Sequence, residues 1–514
     1  MGEQLLITRM LERGAGLFPD SRVITVAEGG VRERSFAAVV DRVARLAGLL
    51  RERRVGPGDT VASLAFNTDL HLELYFAVPA LGAILHTVNL RLAAEQAARV
   101  RAEGGAAILF CDPSVADLAR EIGAADPVPL DSSHSAAVAA ATPIAAWPAL
   151  DEEQGAMLCH TSGTSGAPRG VLYTHRGSCL HAAMLCHGQV YGFTEEDVAM
   201  PVVPMFHAGA WGIPYAAWQS GADLVLPAEA AGDPARLLDL IEAHGVTFLA
   251  AVPTVWLRLV EEQEARPRDL SSLRALVSGG AALPASLAAR AIEVFGVELW
   301  HGWGMTETGP LASLSKVPAA LRSAPVAERA EVLAGQGRPV PGCRLRLRDL
   351  ETGEVRDLTP GARGELLARA GWTATSYLDG EPAPERFEDG WVRSGDIARV
   401  DERGGLRIVD RLKDLVKSGG EWISSLELEA ALCACDGVRE AAVVAAASEE
   451  WGERPVAFLV VEGDDVDLER VRAQLTEQVP RWWLPDQLIV LEELPKTSVG
   501  KHDKRALRTR LYKA

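Results

Sequence analysis

The chain has 514 residues, too many for one ordinary hydrophobic core, so about two or three domains are expected. Its 48% hydrophobic and 24% charged residues are globular proportions and leave no room for general disorder. A formal net charge of −18 argues against nucleic acid and against an anionic membrane surface as partners. No apolar run is long enough to cross a bilayer, and the opening MGEQLLITRMLERG lacks a signal-peptide layout. The seven cysteines are odd in number and scattered, as expected for a reducing cytoplasm.

In chain order, SFAAVVDRVARLAGLLRERR (35–54) places Phe36, Val39, Val40, Val43, Leu46 and Leu50 on one helical face. VASLAF (61–66) reads as a buried strand, and Leu70 to Leu85 as largely helical. Residues 131–148, rich in Ala, Ser and Pro, are expected to form an exposed connection. Strand patterns at 247–252 and 274–277 are each followed by a helical pattern. Such βα repetition predicts an α/β protein with mainly parallel, helix-covered sheets. From about residue 337 the texture changes to short strands with Gly/Pro turns, a β-rich subdomain over 337–410. The main boundary is placed at Asp410–Lys413, dividing a core domain (1–410) from a small α+β domain (411–514).

The most informative stretch is HTSGTSGAPRGVLYTH, with TSGTSGAPRG at 161–170. Glycines let successive N–H groups converge on an anion, and the hydroxyls of Thr161, Ser162, Thr164 and Ser165 add donors beside Gly163. Apolar residues 156–158 and 171–173 predict a strand entering and a strand leaving this phosphate loop. The Walker pattern is excluded, because Pro168 stands five residues after Gly163 and no lysine follows.

Lysine usage is a second signal: only seven of the 52 basic residues are lysines, and six of these follow residue 410. Lys413, Lys417 and Lys501 have motif contexts, whereas Lys504 and Lys513 read as solvated tail lysines.

The phosphate loop resembles that of adenylate-forming enzymes, the superfamily of acyl-CoA synthetases, luciferases and peptide-synthetase adenylation domains. Further segments resemble it in order, from about residue 35 to 505, with wording closest to medium- and long-chain fatty acyl-CoA synthetases. The resemblance implies roles for these residues. His207, Trp211 and Gly212 in VVPMFHAGAWG would line the acyl site. There histidine, in place of the aspartate of amino-acid activators, favours a plain carboxylic acid. Gly279, Gly280 and Ala281 would face the adenine from one side and Trp303 from the other. Gly304, Met305 and Thr306 would continue the nucleotide site, with Thr306 on the α-phosphate. Glu307, with Thr164, would hold Mg²⁺. Asp396 and Arg411 would bind the ribose. The C-terminal domain would be a mobile lid pivoting at Lys413. Lys417, Gly419, Gly420 and Trp422 would serve the coenzyme A step, and Lys501 the α-phosphate during adenylation.

Two departures stand out. Arg169 replaces the family's usual lysine, exchanging a point donor for a planar fork, and Trp303 replaces a more usual tyrosine. The implied activity is ATP-dependent activation of a hydrophobic acid to an acyl-adenylate, with pyrophosphate released, then thioester formation with coenzyme A. The substrates are a small carboxylic acid, ATP and CoA, with Mg²⁺ as cofactor; a homodimer is left open. Rival readings are an adenylating enzyme that loads a carrier protein or activates a specialised-metabolite acid, a luciferase-like oxygenase, and a degenerate nucleotide- or acyl-binding sensor.

Overall fold

A computed structural model describes residues 3–27, 30–161, 168–419, 421–463, 467–496 and 502–511. The chain divides into two compact units. The first comprises Met1–Leu345 and Ala368–Val392; the second comprises Arg346–Leu367 and Arg393–Ala514.

Two sheets organise the first unit. In one, the parallel strands Leu299–Gly304, Ala275–Gly279, Phe248–Ala251, Val198–Pro201, Asp223–Leu226 and Arg22–Ala27 lie side by side in that order. Antiparallel strands cover both ends of this row: Gly30–Ser35 at one, Leu311–Ser315 and then Arg338–Pro339 at the other. The other sheet orders Val128–Pro129, Ile108–Cys111, Thr60–Leu64, Ile84–Thr87 and Gly155–His160 in parallel, then adds Gly170–Thr174 antiparallel. The expected α/β class with mainly parallel sheets is what forms. The strands are apolar over nearly their whole length because both faces are covered: Leu249, Leu276 and Leu299 share a core with Trp256, Leu259, Leu287 and Phe295 of the following helices.

Several local readings hold. Helix Phe36–Glu52 buries Phe36, Val39, Val43, Leu46 and Leu50, with the hydroxyl of Ser35 capping its first turn; Val40 is half-buried at the edge of that face. Two readings are corrected. The helix expected to reach Leu85 is Asp69–Ala80, and residues Ile84–Thr87 form a strand instead. Gly82, at φ +76°, makes the turn between them. The expected connection 131–148 contains a helix, Ser132–Ala140, whose Asp131 side chain accepts from the N–H groups of Ser133 and His134. Composition misled here because an Asp-Ser-Ser run followed by alanines is also a capped helix start.

In the second unit the long hairpin Val438–Ser448 and Gly452–Val461 carries apolar side chains on both faces. Val443, Ala457 and Leu459 pack with Leu428, Leu432 and Leu475, while Val444, Val456 and Phe458 pack with Leu494 and Leu507. The helices Ser425–Cys433, Leu468–Gln478 and Lys504–Leu511 supply these partners. Lys504, expected to be a solvated tail lysine, is half-buried and paired instead. Its ammonium lies 2.6 Å from Glu429 and donates to the Ser425 hydroxyl at 2.7 Å.

Asp112, just past strand Ile108–Cys111, is 5% exposed and accepts from the Phe66 N–H at 2.5 Å. Burial lifts its carboxyl to about 7; the Phe66 bond and Arg32 pull it down, while Glu229 and Asp69 push it up. Its folded pKa therefore lies above the ordinary 3.8, so its favourable contribution is complete below that value and is lost as pH rises through 7. Thermal unfolding midpoints measured from pH 4 to 7 are expected to fall for the wild type relative to Asp112→Asn. The accumulated difference should be on the order of 2–4 kcal/mol.

Candidate active site

The phosphate loop sits on a hairpin of the first unit. Strands Gly155–His160 and Gly170–Thr174 pair antiparallel with His160 opposite Gly170, so the two ends of the loop are brought together. Thr161 and Arg169 close the neck: Thr161 N–H donates to the Arg169 carbonyl at 3.0 Å, and Arg169 N–H donates to the Thr161 hydroxyl at 3.0 Å. Glu103 braces the same neck, accepting from Gly170 N–H at 3.1 Å and lying 3.2 Å from His160 Nε2. His86 backs His160 from the other side at 3.2 Å. Ser162, Gly163, Thr164 and Ser165 lie outside the described residues, as do Gly420 and Lys501.

Strand Leu299–Gly304 delivers Trp303 and Gly304 to the start of the short 3₁₀ turn Thr306–Thr308. The backbone closes tightly here, since a Cβ on Gly304 would fall 1.9 Å from the Pro310 carbonyl oxygen. Met305 N–H donates to the Thr308 hydroxyl at 2.9 Å, and the Thr306 carbonyl accepts from the Tyr173 hydroxyl at 2.8 Å. Trp303 and Thr306 are buried, and Glu307 is only 3% exposed. A buried carboxylate needs partners. Glu307 has them in the Tyr377 hydroxyl, which donates to Oε1 at 2.6 Å, and in Arg386, whose Nε lies 3.7 Å from the same oxygen. Both contacts reach Oε1, and a carboxylate supplies the hard anionic oxygen that suits Mg²⁺. Among the described residues no group of three or more His, Cys, Asp or Glu side chains is placed to hold a metal by itself.

The planar fork of Arg169 is used. Its guanidinium lies over the Tyr377 ring, 3.9 Å from the centroid, while Nη2 donates to both Asp379 oxygens at 3.0 and 2.9 Å. Burial pushes the Asp379 carboxyl upward, but the hydrogen bonds from Arg169 and the Glu381 N–H, with the Arg169 charge, together hold the group below its ordinary range.

His207 is half-buried and leads into a strained turn. Ala208, Gly209, Ala210, Trp211 and Gly212 all have positive φ, between +44° and +77°, a left-handed path that costs L-residues energy. This turn lays the Trp211 indole on the strand end, where a Cβ on Gly279 would meet Trp211 Cη2 at 2.9 Å. The acyl-site and adenine-wall residues expected separately from sequence are thus packed together. Gly280, at φ +78°, continues the turn, and the Ala281 carbonyl lies 3.1 Å from His301 Nε2. Behind the turn is a cavity of about 20 Å³, room for one water, lined by Ala208, Gly209 and Gly212 with Met157, His181, Tyr215 and Trp372. His207 and Trp211 are not among the residues lining it. Burial lowers His181 to about 3, so it is neutral at pH 7, and its Nε2 accepts from Leu311 N–H at 3.3 Å.

In the second unit Asp396 and Arg411 are cross-strand partners with their side chains 3.2 Å apart. Glu365 supports this turn, accepting from Arg393 at 2.7 Å and from Gly395 N–H at 3.3 Å. Around Lys413, the terminal helix grips the chain: Arg508 Nη2 donates to the Lys413 carbonyl at 3.2 Å and to Asp414 at 2.6 Å. Lys417 and Trp422 pair across a short hairpin, with the ammonium 5.1 Å from the indole centroid. Gly419, at φ +59°, has no room for a side chain because Trp451 lies against it.

The phosphate-loop hairpin, the TET turn and the buried glutamate are the segments by which the sequence resembles the adenylate-forming enzymes. The AMP-binding enzyme family matches residues 11–378, and its AMP-binding enzyme C-terminal domain matches 427–501. The chain belongs to the AMP-binding enzyme family. It is therefore an adenylate-forming, AMP-producing acid–thiol ligase that uses ATP. A long-chain-fatty-acid–CoA ligase of Thermus thermophilus is 42% identical, covering 99% of this chain and 96% of that protein. A 3-methylmercaptopropionyl-CoA ligase of Ruegeria pomeroyi is 36% identical over 99% of this chain and 97% of its own. Among solved structures, ATP-bound MatB from Rhodopseudomonas palustris superposes with a TM-score of 0.85 at 26% identity, covering 98% of both chains. No helix among the described residues is long and apolar enough to cross a membrane.

Tyr173, Tyr377, Arg386, Glu103 and Glu365 were not found by sequence reasoning. They act on other residues rather than standing in a phosphate- or metal-binding pattern, so no spacing marks them. At Gly212 a Cβ would lie 2.5 Å from His181 Nδ1 on a residue at φ +77°, so crowding and backbone strain coincide there. Gly212→Ala is expected to destabilise the first unit by about 1–3 kcal/mol or more, from overpacking plus backbone strain, read as a lowered thermal midpoint.

Proposed function

We propose that this ligase activates a hydrophobic carboxylic acid, a medium- or long-chain fatty acid, and transfers the acyl group to coenzyme A. The observation that carries the reading is the buried Glu307 carboxylate, held by Tyr377 beside an arginine at the neck of the phosphate loop. Kinship with a fatty-acid–CoA ligase over nearly the whole chain supports the substrate class. Histidine at 207, where amino-acid activators carry aspartate, supports an acid without an amino group.

In the first step the substrate carboxylate attacks the α-phosphorus of ATP, and pyrophosphate leaves. Both reactants are anions, so the barrier is largely electrostatic. Thr161 and its neighbours in the loop bind phosphate oxygens through N–H and hydroxyl donors, and Thr306 offers a hydroxyl to the α-phosphate. Asp396 and Arg411 bind the ribose. Gly279, Gly280, Ala281 and Trp303 border the adenine. Glu307, with Thr164, would hold Mg²⁺, which when bound neutralises phosphate charge. Lys501 brings an ammonium to the α-phosphate and the attacking carboxylate. In the second step the C-terminal domain turns about Lys413, Lys501 withdraws, and the segment of Lys417, Gly419, Gly420 and Trp422 serves coenzyme A. Its thiolate attacks the acyl carbon and AMP leaves. One lysine cannot stay where the thiol must enter, so two steps in one pocket need this exchange.

Acid-dependent exchange of pyrophosphate into ATP tests the first step, with a panel from short acids to long-chain fatty acids and amino acids. Medium- and long-chain acids should lead, and a lead by amino acids would refute the substrate class. Lys501→Ala should lose adenylation by roughly 10²–10³-fold while retaining thioester formation from supplied acyl-adenylate. Equal loss in both half-reactions would remove the domain exchange from the mechanism.

A further inference from the structure

Tyr377 stands between the two charged groups of the nucleotide site that the first unit contributes, and it touches both. Its hydroxyl donates to Glu307 Oε1 at 2.6 Å. Its ring face carries the Arg169 guanidinium at 3.9 Å. The ring cannot drift, because it is 6% exposed and packs with Val171, Ala383 and Phe387. The backbone around it is tied to the hairpin as well: Leu378 N–H donates to the Gly170 carbonyl at 2.8 Å. Two residues on, Asp379 receives both short contacts from Arg169 Nη2, and Glu385 lies 3.9 Å from Nη1. The segment therefore fixes a cation at the neck of the phosphate loop and an anion in the TET turn through a single side chain.

This geometry also explains why the basic residue here is arginine. A guanidinium is flat, so it can stack on an aromatic face and donate in its own plane to a carboxylate at the same time. An ammonium on a flexible stem cannot do both. Arg169 and the Tyr377–Asp379 pair are matched to each other.

We propose that Tyr377 is a positioning residue shared by the phosphate-loop arginine and the metal-binding glutamate, holding both in their nucleotide-binding geometry before ATP arrives. The inference rests on the reading of Glu307 as the metal carboxylate. Without the hydroxyl, Glu307 keeps, among the described residues, the more distant Arg386. Without the ring, Arg169 keeps, among the described residues, the more exposed carboxylates of Asp379 and Glu385, which bind weakly in water.

The test uses the full chain with ATP and no acid, so that nothing turns over, and reads Mn²⁺ binding by electron paramagnetic resonance and ATP binding by calorimetry. Tyr377→Phe keeps the ring, its packing and the arginine stack, and removes only the hydroxyl. It should raise the Mn²⁺ concentration for half-saturation about tenfold, the scale of a lost hydrogen bond to a charged group. ATP affinity in EDTA should be unchanged. An unshifted Mn²⁺ midpoint, or an equal loss of ATP affinity in EDTA, would overturn the proposal. Tyr377→Leu tests the stack: Arg169→Lys should weaken ATP several-fold in the wild type but far less in the Tyr377→Leu background. Additive effects would refute the arginine half of the proposal. If the wild type itself shows no ATP-dependent Mn²⁺ site, the metal reading of Glu307 falls first and takes this inference with it.

Discussion

A carboxylate must approach a polyphosphate on a protein that is itself strongly acidic, and this electrostatic constraint governs the arrangement of the site. Screening hides exposed charges beyond about 8 Å at physiological salt, so the distant acidic surface matters little and the nearest few groups matter most. The molecule meets the constraint locally. Arg169 is held at the loop neck by a stack and a carboxylate, and Arg386 stands beside Glu307. The buried anion of the TET turn is paired, with the Tyr377 hydroxyl and Arg386 both at its Oε1.

Close packing imposes the second constraint. Gly212, Gly279 and Gly304 each lie against neighbours that a Cβ would strike; Gly212 ends the left-handed turn that begins after His207, and Gly279 packs against its Trp211. A run of five positive-φ residues persists only where surrounding contacts over-determine it. Here Trp211 is pressed onto the end of a central strand, and the following helix Ile213–Ser220 is anchored by fully buried Trp218. The turn Ala208–Gly212 is thus set by what lies on either side of it.

Much of this was legible in the residues. The strand–loop–strand reading around 156–173, the βα units at 248–295 and the β-rich texture after 337 all follow from period, turn chemistry and apolar runs. The residues proposed for the nucleotide stood out because each motif concentrates unusual residue types, as in TSGTSGAPRG, WGMTET and WVRSGD. What escaped was of two kinds. Helix Ser132–Ala140 was missed because an alanine–serine segment serves both as linker and as capped helix. Lys504 was misread because its partners Glu429 and Ser425 lie some eighty residues earlier, where no local pattern announces them.

The sequence by itself determined the fold class and the family, and it singled out the groups proposed to meet phosphate, because these depend on local periodicity and on residue types clustered within a dozen positions. Only tertiary structure decided how those groups are held. That Arg169 stacks on Tyr377, that Tyr377 reaches Glu307, that Trp211 fills the space above Gly279 and that Glu103 braces the loop neck are contacts between segments tens to hundreds of residues apart. Such contacts come from strand order and close packing, and one chain read alone carries no distance between its distant parts.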